Sequence, residues 1–311
     1  MKEIMNNPLV SVIIPNYNHA RFLDERIQSV LNQTYQNFEV IILDDKSTDN
    51  SVEVINQYKD DPHVSSIIVN EENSGSTFKQ WNKGFELAKG ELIWIAESDD
   101  SCDSSLLETL VRGYVDNNAV LAFCRSCKYD IEGNKRFYTN QNTIQCDMVA
   151  AGKDFISAHM LKHNFVANAS SAIFSRSVAM SIDKQYMSMK GNGDWLFWIE
   201  LMEHGNVYFS TKDLNFFRFH HTNTTKSLEY QGISAIEYKF IYDYVVSHHQ
   251  ISEYDKRRVK LDYLYCFMQA NYATHATRMK VLKVWDRYRV WRTYIFLSSI
   301  KEDIKLFLRN L

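Results

Sequence analysis

Over about the first 130 residues two hydrophobic periods alternate, and this alternation restricts the fold more than any other feature of the chain. Short apolar, β-branched runs read as strands: "LVSVIIP" (Leu9 to Pro15), "FEVIILDD", "VSSIIVN", "ELIWIA" and "AVLAFC". Between them, apolar residues recur at helical spacing. Leu23, Ile27, Val30 and Leu31 form one stripe, Phe78, Trp81, Phe85 and Ala88 a second, and Leu107, Leu110, Val111 and Tyr114 a third. "STDNSVEVINQY" opens with capping residues and continues as a helix. Parallel strands need crossover connections, and helices of this length supply them. The chain therefore reads as α/β, with βαβ units around a mainly parallel sheet. Residues 135–225 mix strand and helix signals, and from about Ile233 the pattern is helical to the end.

Sheets of this kind bind ligands beyond the carboxyl ends of their strands. Here those ends read "PNYN", "DDKSTD", "NEENSG" and "ESDD". The last is the most demanding. Five apolar residues, Leu92 to Ala96, run straight into Glu97, Asp99 and Asp100. Three carboxylates at the mouth of a buried strand repel one another and resist leaving water, and a cation would offset that cost.

The loops separate the nucleotide-binding chemistries. "PNYNHARF" follows the first strand where a dinucleotide fold carries G-x-G-x-x-G, and no G-x-x-x-x-G-K-[ST] segment exists. Without glycine-rich turns, backbone N–H groups are not the main cradle for phosphate. A divalent ion held by carboxylates is the other means of neutralising a diphosphate. Mg²⁺ or Mn²⁺ takes one or two carboxylates plus substrate phosphate and water, and acts as a Lewis acid on the departing phosphate.

The order of motifs resembles the opening of family 2 glycosyltransferases with the GT-A fold. "VSVIIPNYNHARFLDERIQSVLNQTYQNFEVIILDDKSTDNS" follows the family pattern of an apolar strand, P-x-Y-N, a helix ending in Q-T, and a strand ending in D-D-x-S-x-D. "NSGSTFKQWNKGFELAKGELIWIAESDD" continues it, and the likeness covers roughly residues 8–225. The resemblance implies an inverting transfer of a sugar from a nucleotide-diphosphate donor, with UDP favoured. By the match, Pro15 and Tyr17 lie against the base, Asp45 hydrogen-bonds it, Asp99 reads the ribose side and Asp100 meets the metal, Mn²⁺ or Mg²⁺. Glu97 stands where the family has Asp, and its direct role stays open. The family's G-x-x-x-A-R-N-x-G is "GSTFKQWNKG" here, one residue longer between Gly75 and Asn82, with Lys79 as a source of positive charge. Lysine lacks the planar fork of arginine. "GNGDWLFWIEL" matches the acceptor-side segment and makes Asp194 the base that takes the acceptor hydroxyl's proton. "FFRFHHTNTT" matches a segment with an arginine and a histidine, which points to His220, with His221 as rival, at the metal or the diphosphate.

On this resemblance, residues 1–225 form a GT-A catalytic domain: 1–105 the nucleotide-sugar half with its Rossmann-like, mixed but mainly parallel sheet, 106–225 the acceptor half. Residues 226–311 form a C-terminal helical region. The implied partners are a nucleotide-sugar donor and a glycan or lipid-linked acceptor in polysaccharide assembly, with no nucleic acid. Each residue also has a plainer reading: Asp44 and Asp45 as solvated strand ends, Asp194 as an acid favoured by a helix N-terminus, Lys79 as a solvated helix lysine. Three rivals stand beside the transferase. A sugar-nucleotide pyrophosphorylase needs a glycine-rich basic loop after strand one. A receiver domain places its acidic pair after the first strand. A nucleotide-binding, non-catalytic GT-A-like protein would keep the donor residues alone.

The remaining expectations concern compartment. Five cysteines without small-scaffold spacing argue against a disulfide framework; Cys124 and Cys127 sit in "LAFCRSC", a strand running into a loop. No apolar run nears ~18 residues and the N-terminus lacks a signal-peptide core, so a cytoplasmic protein without a membrane span is expected. Residues 251–311 hold 13 Lys/Arg against 6 Asp/Glu. A stripe of Tyr288, Trp291 and Ile295, extended by Ile300, Ile304, Phe307 and Leu311 and flanked by Arg287, Arg289 and Arg292, fits either a packed helix or peripheral contact with the inner face of an anionic membrane.

Overall fold

The computed structural model describes residues 7–129, 135–138, 143–219, 225–287 and 293. The chain divides into two compact units. The first comprises Met1–Ile156, Asn164–Ser188 and Gly193–Thr222; the second comprises Ser157–His163, Met189–Asn192 and Asn223–Leu311.

The first unit begins β1 (Val10–Asn16), α1 (Ala20–Leu31), β2 (Phe38–Asp44), α2 (Ser51–Asn56), β3 (Val64–Val69), α3 (Thr77–Leu87) and β4 (Leu92–Ile95). It continues β5 (Ser101–Cys102), α4 (Leu106–Asp116), β6 (Ala119–Tyr129), β7 (Lys135–Tyr138), β8 (Met148–Ala151), α5 (Gly152–Phe155), β9 (Ala172–Ser175), α6 (Arg176–Ala179), α7 (Gly193–Met202) and β10 (Asn206–Arg218). All five runs expected to be strands are strands. One differs in extent: β6 continues through Cys127 to Tyr129 because it pairs with β10 and β7 along that length. Cys124 and Cys127, three apart along a strand, are on opposite faces and cannot form a local pair. Both are buried, and neither is in a disulfide.

The sheet runs β3-β2-β1-β4-β9-β6-β10-β5, with β7 beside β6 and β8 beside β10. β1, β2, β3 and β4 are mutually parallel. β9 is antiparallel to both β4 and β6, so β6 and its parallel partner β10 point the same way as the first four. The carboxyl ends of all six strands thus share one edge. Alternate residues of β1 split between two cores, as period two requires. Val10, Val12 and Ile14 face Leu23, Ile27 and Val30 of α1, Ile55 of α2 and Leu107 and Leu110 of α4. The opposite core is aromatic: Phe85 meets Phe174 and Phe197 at 5.7 and 5.8 Å, and Phe174 meets Trp198 at 5.5 Å. α7 is buried from Trp195 to Met202, which explains an apolar composition all round the helix. Gly84 lets α3 approach β1; a Cβ there would stand 2.6 Å from the Ile13 side chain.

The second unit contains α8 (Thr225–Tyr230), α9 (Ile233–His248), α10 (Glu253–Gln269) and α11 (His275–Trp285). Trp285 is its buried centre: the ring lies 4.8 Å from Tyr263 and 5.4 Å from Phe267, and Nε1 donates to Ala235 O at 2.8 Å. The Glu237 carboxylate accepts hydrogen bonds from the backbone N–H groups of Lys190, Gly191 and Asn192 at 2.6–3.1 Å. Among the described residues no helix is long and apolar enough to cross a membrane. The tail stripe from Tyr288 to Leu311 lies outside the described residues, as do Arg289 and Arg292.

Candidate functional site

Polar groups converge where β1, β2, β4 and β10 end. β1 pairs with β4 only as far as Ile13, so Pro15, which has no N–H to give, lies past the stretch flanked on both sides. Tyr17 follows at 47% exposure, and Asn18 turns the chain through the left-handed region at φ 57°. Asn18 and Asp have the short polar side chains that tolerate this turn; Asn18 Oδ1 accepts from Thr48 N at 2.7 Å.

The two aspartates ending β2 have separate duties. Asn16 and Asp44 are register partners, and Asn16 Nδ2 donates to Asp44 Oδ2 at 2.7 Å. Asp44 also accepts from Ser47 N at 2.8 Å and Ser47 Oγ at 2.6 Å, so it closes the loop. Asp45, 5% exposed, faces the other way. Its Oδ1 accepts from Asn70 Nδ2, Ser74 N and Gln80 Nε2 at 2.7–2.9 Å, and its Oδ2 from Ser74 Oγ at 2.8 Å. Lys79 is exposed and its Nζ donates to Ser74 O at 3.1 Å. With Asn82 and Gly84 matched to N-x-G, Trp81 stands where the family pattern has arginine.

After β4, Asp100 N donates to Glu97 O at 3.2 Å, closing a turn that presents Ser98 and Asp99. Ser98 Oγ lies 2.8 Å from His19 Nδ1, joining this turn to the loop after β1. Trp81 Nε1 donates to Glu97 Oε1 at 2.9 Å, and Arg26 Nε donates to Glu97 O at 2.9 Å. Asp100 is 1% exposed; its Oδ2 accepts from Asn168 Nδ2 at 2.9 Å and Ser170 Oγ at 2.7 Å, its Oδ1 from Arg218 N at 3.1 Å. Burial, then the charge of Asp99, pushes Glu97 up to about 8 and Asp100 up to about 6; the Trp81 bond and Arg26 act against the first, Arg26 and Ser170 against the second. The Arg26 guanidinium is fully buried 3.9 Å from Asp100. Arg218 Nε donates to Asp99 O at 3.0 Å and its Nη2 meets Glu25 at 2.6 Å.

Asp194 lies in the first turn of α7, half-buried, with Asn164 Nδ2 donating to its Oδ2 at 2.8 Å. Gly193 before it is required: a Cβ would stand 2.3 Å from Tyr186 O and 2.7 Å from the Phe78 ring. His220 and His221 lie outside the described residues. The structure brings Asp45, Glu97, Asp99 and Asp100 to one edge, tied together through α3 and the turn after β4. Sequence reasoning missed Arg26, Gln80, Asn164, Asn168, Ser170 and Asn215. Arg26 had a signal, a charged residue three after Leu23 and four before Val30 on the apolar stripe of α1. Asn168 and Asn215 had none: Asn215 Nδ2 donates to Asn168 Oδ1 at 3.0 Å across 47 residues of sequence.

Among the described residues no group of three His, Cys, Asp or Glu is placed to hold a metal ion. Asp100 nevertheless suits one in donor type: it is a hard oxygen donor, and its Oδ1 takes a single hydrogen bond.

A doubly layered α/β unit with acidic strand ends on one edge is the architecture of nucleotide-sugar transferases of the GT-A type. The model of glycosyl transferase family 2 matches residues 11–182, and the chain belongs to that family. It is 38% identical over 132 residues to the glycosyltransferase GlyG of Streptococcus pneumoniae, covering 42% of this chain and 43% of that protein. It is 29% identical over 255 residues to the poly(ribitol-phosphate) β-N-acetylglucosaminyltransferase TarP of Staphylococcus aureus, covering 75% and 72%. The chain spans about half the length of the first curated relatives it matches, from 43% to 60%. The crystal structure of S. aureus TarS 1–349 with UDP-GlcNAc superposes with a TM-score of 0.69 over 89% of this chain and 80% of that one, at 16% identity. That likeness shows the GT-A fold.

Proposed function

We propose that this chain transfers a sugar, with inversion, from a UDP-sugar to a hydroxyl of a glycan or lipid-linked acceptor in assembly of a bacterial surface polymer. One observation carries this reading: Asp45 and the Glu97–Asp100 turn end β2 and β4, the two strands that flank β1 in the parallel part of the sheet, and are cross-tied by a single helix, α3. Support for UDP comes from TarS, solved with UDP-GlcNAc. Support for a polymer acceptor comes from TarP, named for poly(ribitol-phosphate).

In this mechanism residues 1–105 supply the donor half and 106–225 the acceptor half. Tyr17 and Pro15 lie against the base. Asp45 Oδ2 takes one internal hydrogen bond and has acceptor capacity for one more donor, the imide N–H of uracil. Asp99 reads the ribose. Lys79 adds positive charge beside the nucleotide. Asp100, with His220 or His221, would hold Mn²⁺ or Mg²⁺, which supplies charge neutralisation of the departing diphosphate. Asp194 accepts the proton of the attacking hydroxyl, and Asn164 fixes its orientation through Oδ2.

Titration of the full chain with UDP, with and without Mn²⁺, tests the donor edge; binding unaffected by Asp45→Ala or Asp99→Asn removes it. Asp194→Asn is expected to lower turnover about 10²–10⁴-fold with UDP affinity unchanged. Nucleotide binding without turnover in the parent chain leaves a non-catalytic binder instead.

A further inference from the structure

Two consecutive residues of α3 serve two different strand ends. Gln80 Nε2 donates to Asp45 Oδ1 and Trp81 Nε1 to Glu97 Oε1, each at 2.9 Å. Neighbouring helix positions are about 100° apart, so their side chains diverge, and one helix reaches both β2 and β4. Both residues are buried, at 4% and 2% exposure. The indole cannot swing aside. It packs edge-on against Phe78 at 5.2 Å and Phe197 at 5.8 Å, and at a tilt against Trp198 at 6.2 Å. Its N–H is a donor only, so it demands an acceptor at this point.

Glu97 is held through its backbone and one carboxyl oxygen. Its N–H donates to Ser170 Oγ at 3.0 Å, its carbonyl accepts from Arg26 Nε at 2.9 Å and Asp100 N at 3.2 Å, and one carboxyl oxygen takes the indole. Glu97 opens the turn whose third and fourth residues are Asp99 and Asp100. Fixing Glu97 fixes that turn.

We infer that Glu97 and Trp81 are a positioning pair: the glutamate serves as the acceptor that locks the Asp99–Asp100 turn to α3, and through Gln80 to Asp45, rather than as a contact of the donor. The pair then sets the spacing between the end that reads the base and the turn that meets the ribose and the diphosphate. It rests on the donor-site reading above. Glutamate in place of the family's aspartate follows from this geometry, because the longer arm spans the gap to an indole on the helix.

The test uses the full chain, with UDP and uracil as probes in the presence of Mn²⁺. Glu97→Gln keeps a carbonyl oxygen for the indole and is expected to bind UDP within about twofold of the parent. Glu97→Leu and Trp81→Phe lose the bond and are expected to weaken UDP about tenfold. The double variant should be no weaker than the weaker single, and uracil, which lacks the ribose and reaches only the Asp45 end, should bind all of them alike. Loss of UDP affinity in Glu97→Gln equal to that in Glu97→Leu overturns the pair and makes Glu97 a direct contact. Equal loss of uracil and UDP across the variants also overturns it, because a loosened fold would do the same. Should Trp81→Phe fail to melt cooperatively, the two Glu97 variants carry the comparison alone. Asp99→Asn is the separate control: unchanged UDP binding there removes the donor site itself.

Discussion

Single carboxylates in this molecule owe their behaviour to the depth at which they sit. Glu200 stands in the middle of α7 among Trp198, Ile199 and Leu201, with Oε2 buried and without a hydrogen-bond partner. Burial, then the charges of Asp183 and Glu203, pushes it up to about 8 from an ordinary 4.5. The folded chain therefore keeps a proton that the unfolded chain releases. Its contribution to stability is full below about pH 4.5 and is lost as pH rises through 8. Glu200→Gln is expected to match the parent near pH 4.5 and exceed it by about 3 kcal/mol at pH 8.5, measured by urea unfolding. An equal difference at both values would show that charge is not the cause. Glu39 is the opposite case. Burial alone would raise it, but hydrogen bonds from Ser11 Oγ and Lys89 N outweigh that and hold it below the usual range.

At the scale of elements, α3 does the most. Its apolar stripe of Phe78, Trp81 and Phe85 was legible from spacing, yet the same helix also presents Gln80 to Asp45, which spacing alone does not reveal. Gly84 seats it. Gly84→Ala gains about 1 kcal/mol of helix propensity but puts a Cβ 2.6 Å from Ile13 on a buried strand. Overpacking of that kind costs about 1–3 kcal/mol, so a net loss of stability is expected in urea unfolding. Because a displaced α3 carries Gln80 and Trp81 with it, UDP affinity should fall in the same variant. Retained affinity with lost stability would separate the helix seat from the site. β10 makes a related point. Its register against β6 shifts twice between Ser210 and Asn215, and bulges of this kind re-aim a strand end. Here they bring Arg218 N to Asp100, a contact across 118 positions.

For the whole molecule, donor binding and stability are linked. A ligand that binds only the folded chain, at 100 times its Kd, adds about 2.7 kcal/mol. UDP with Mn²⁺ is expected to raise the melting midpoint by several degrees, and EDTA to remove most of that gain; an unchanged midpoint at saturating UDP would contradict the donor edge. The sequence by itself determined the strand–helix alternation, the family and the acidic strand ends, because those are carried by local period and by residues adjacent in the chain. Tertiary structure alone decided that β9 inserts antiparallel between β4 and β6, that Asn168, Ser170 and Arg218 cradle Asp100, and that Glu97 answers to an indole. Those depend on groups dozens of residues apart meeting at one edge, and the pairing of distant polar side chains follows from packing, which no local pattern encodes.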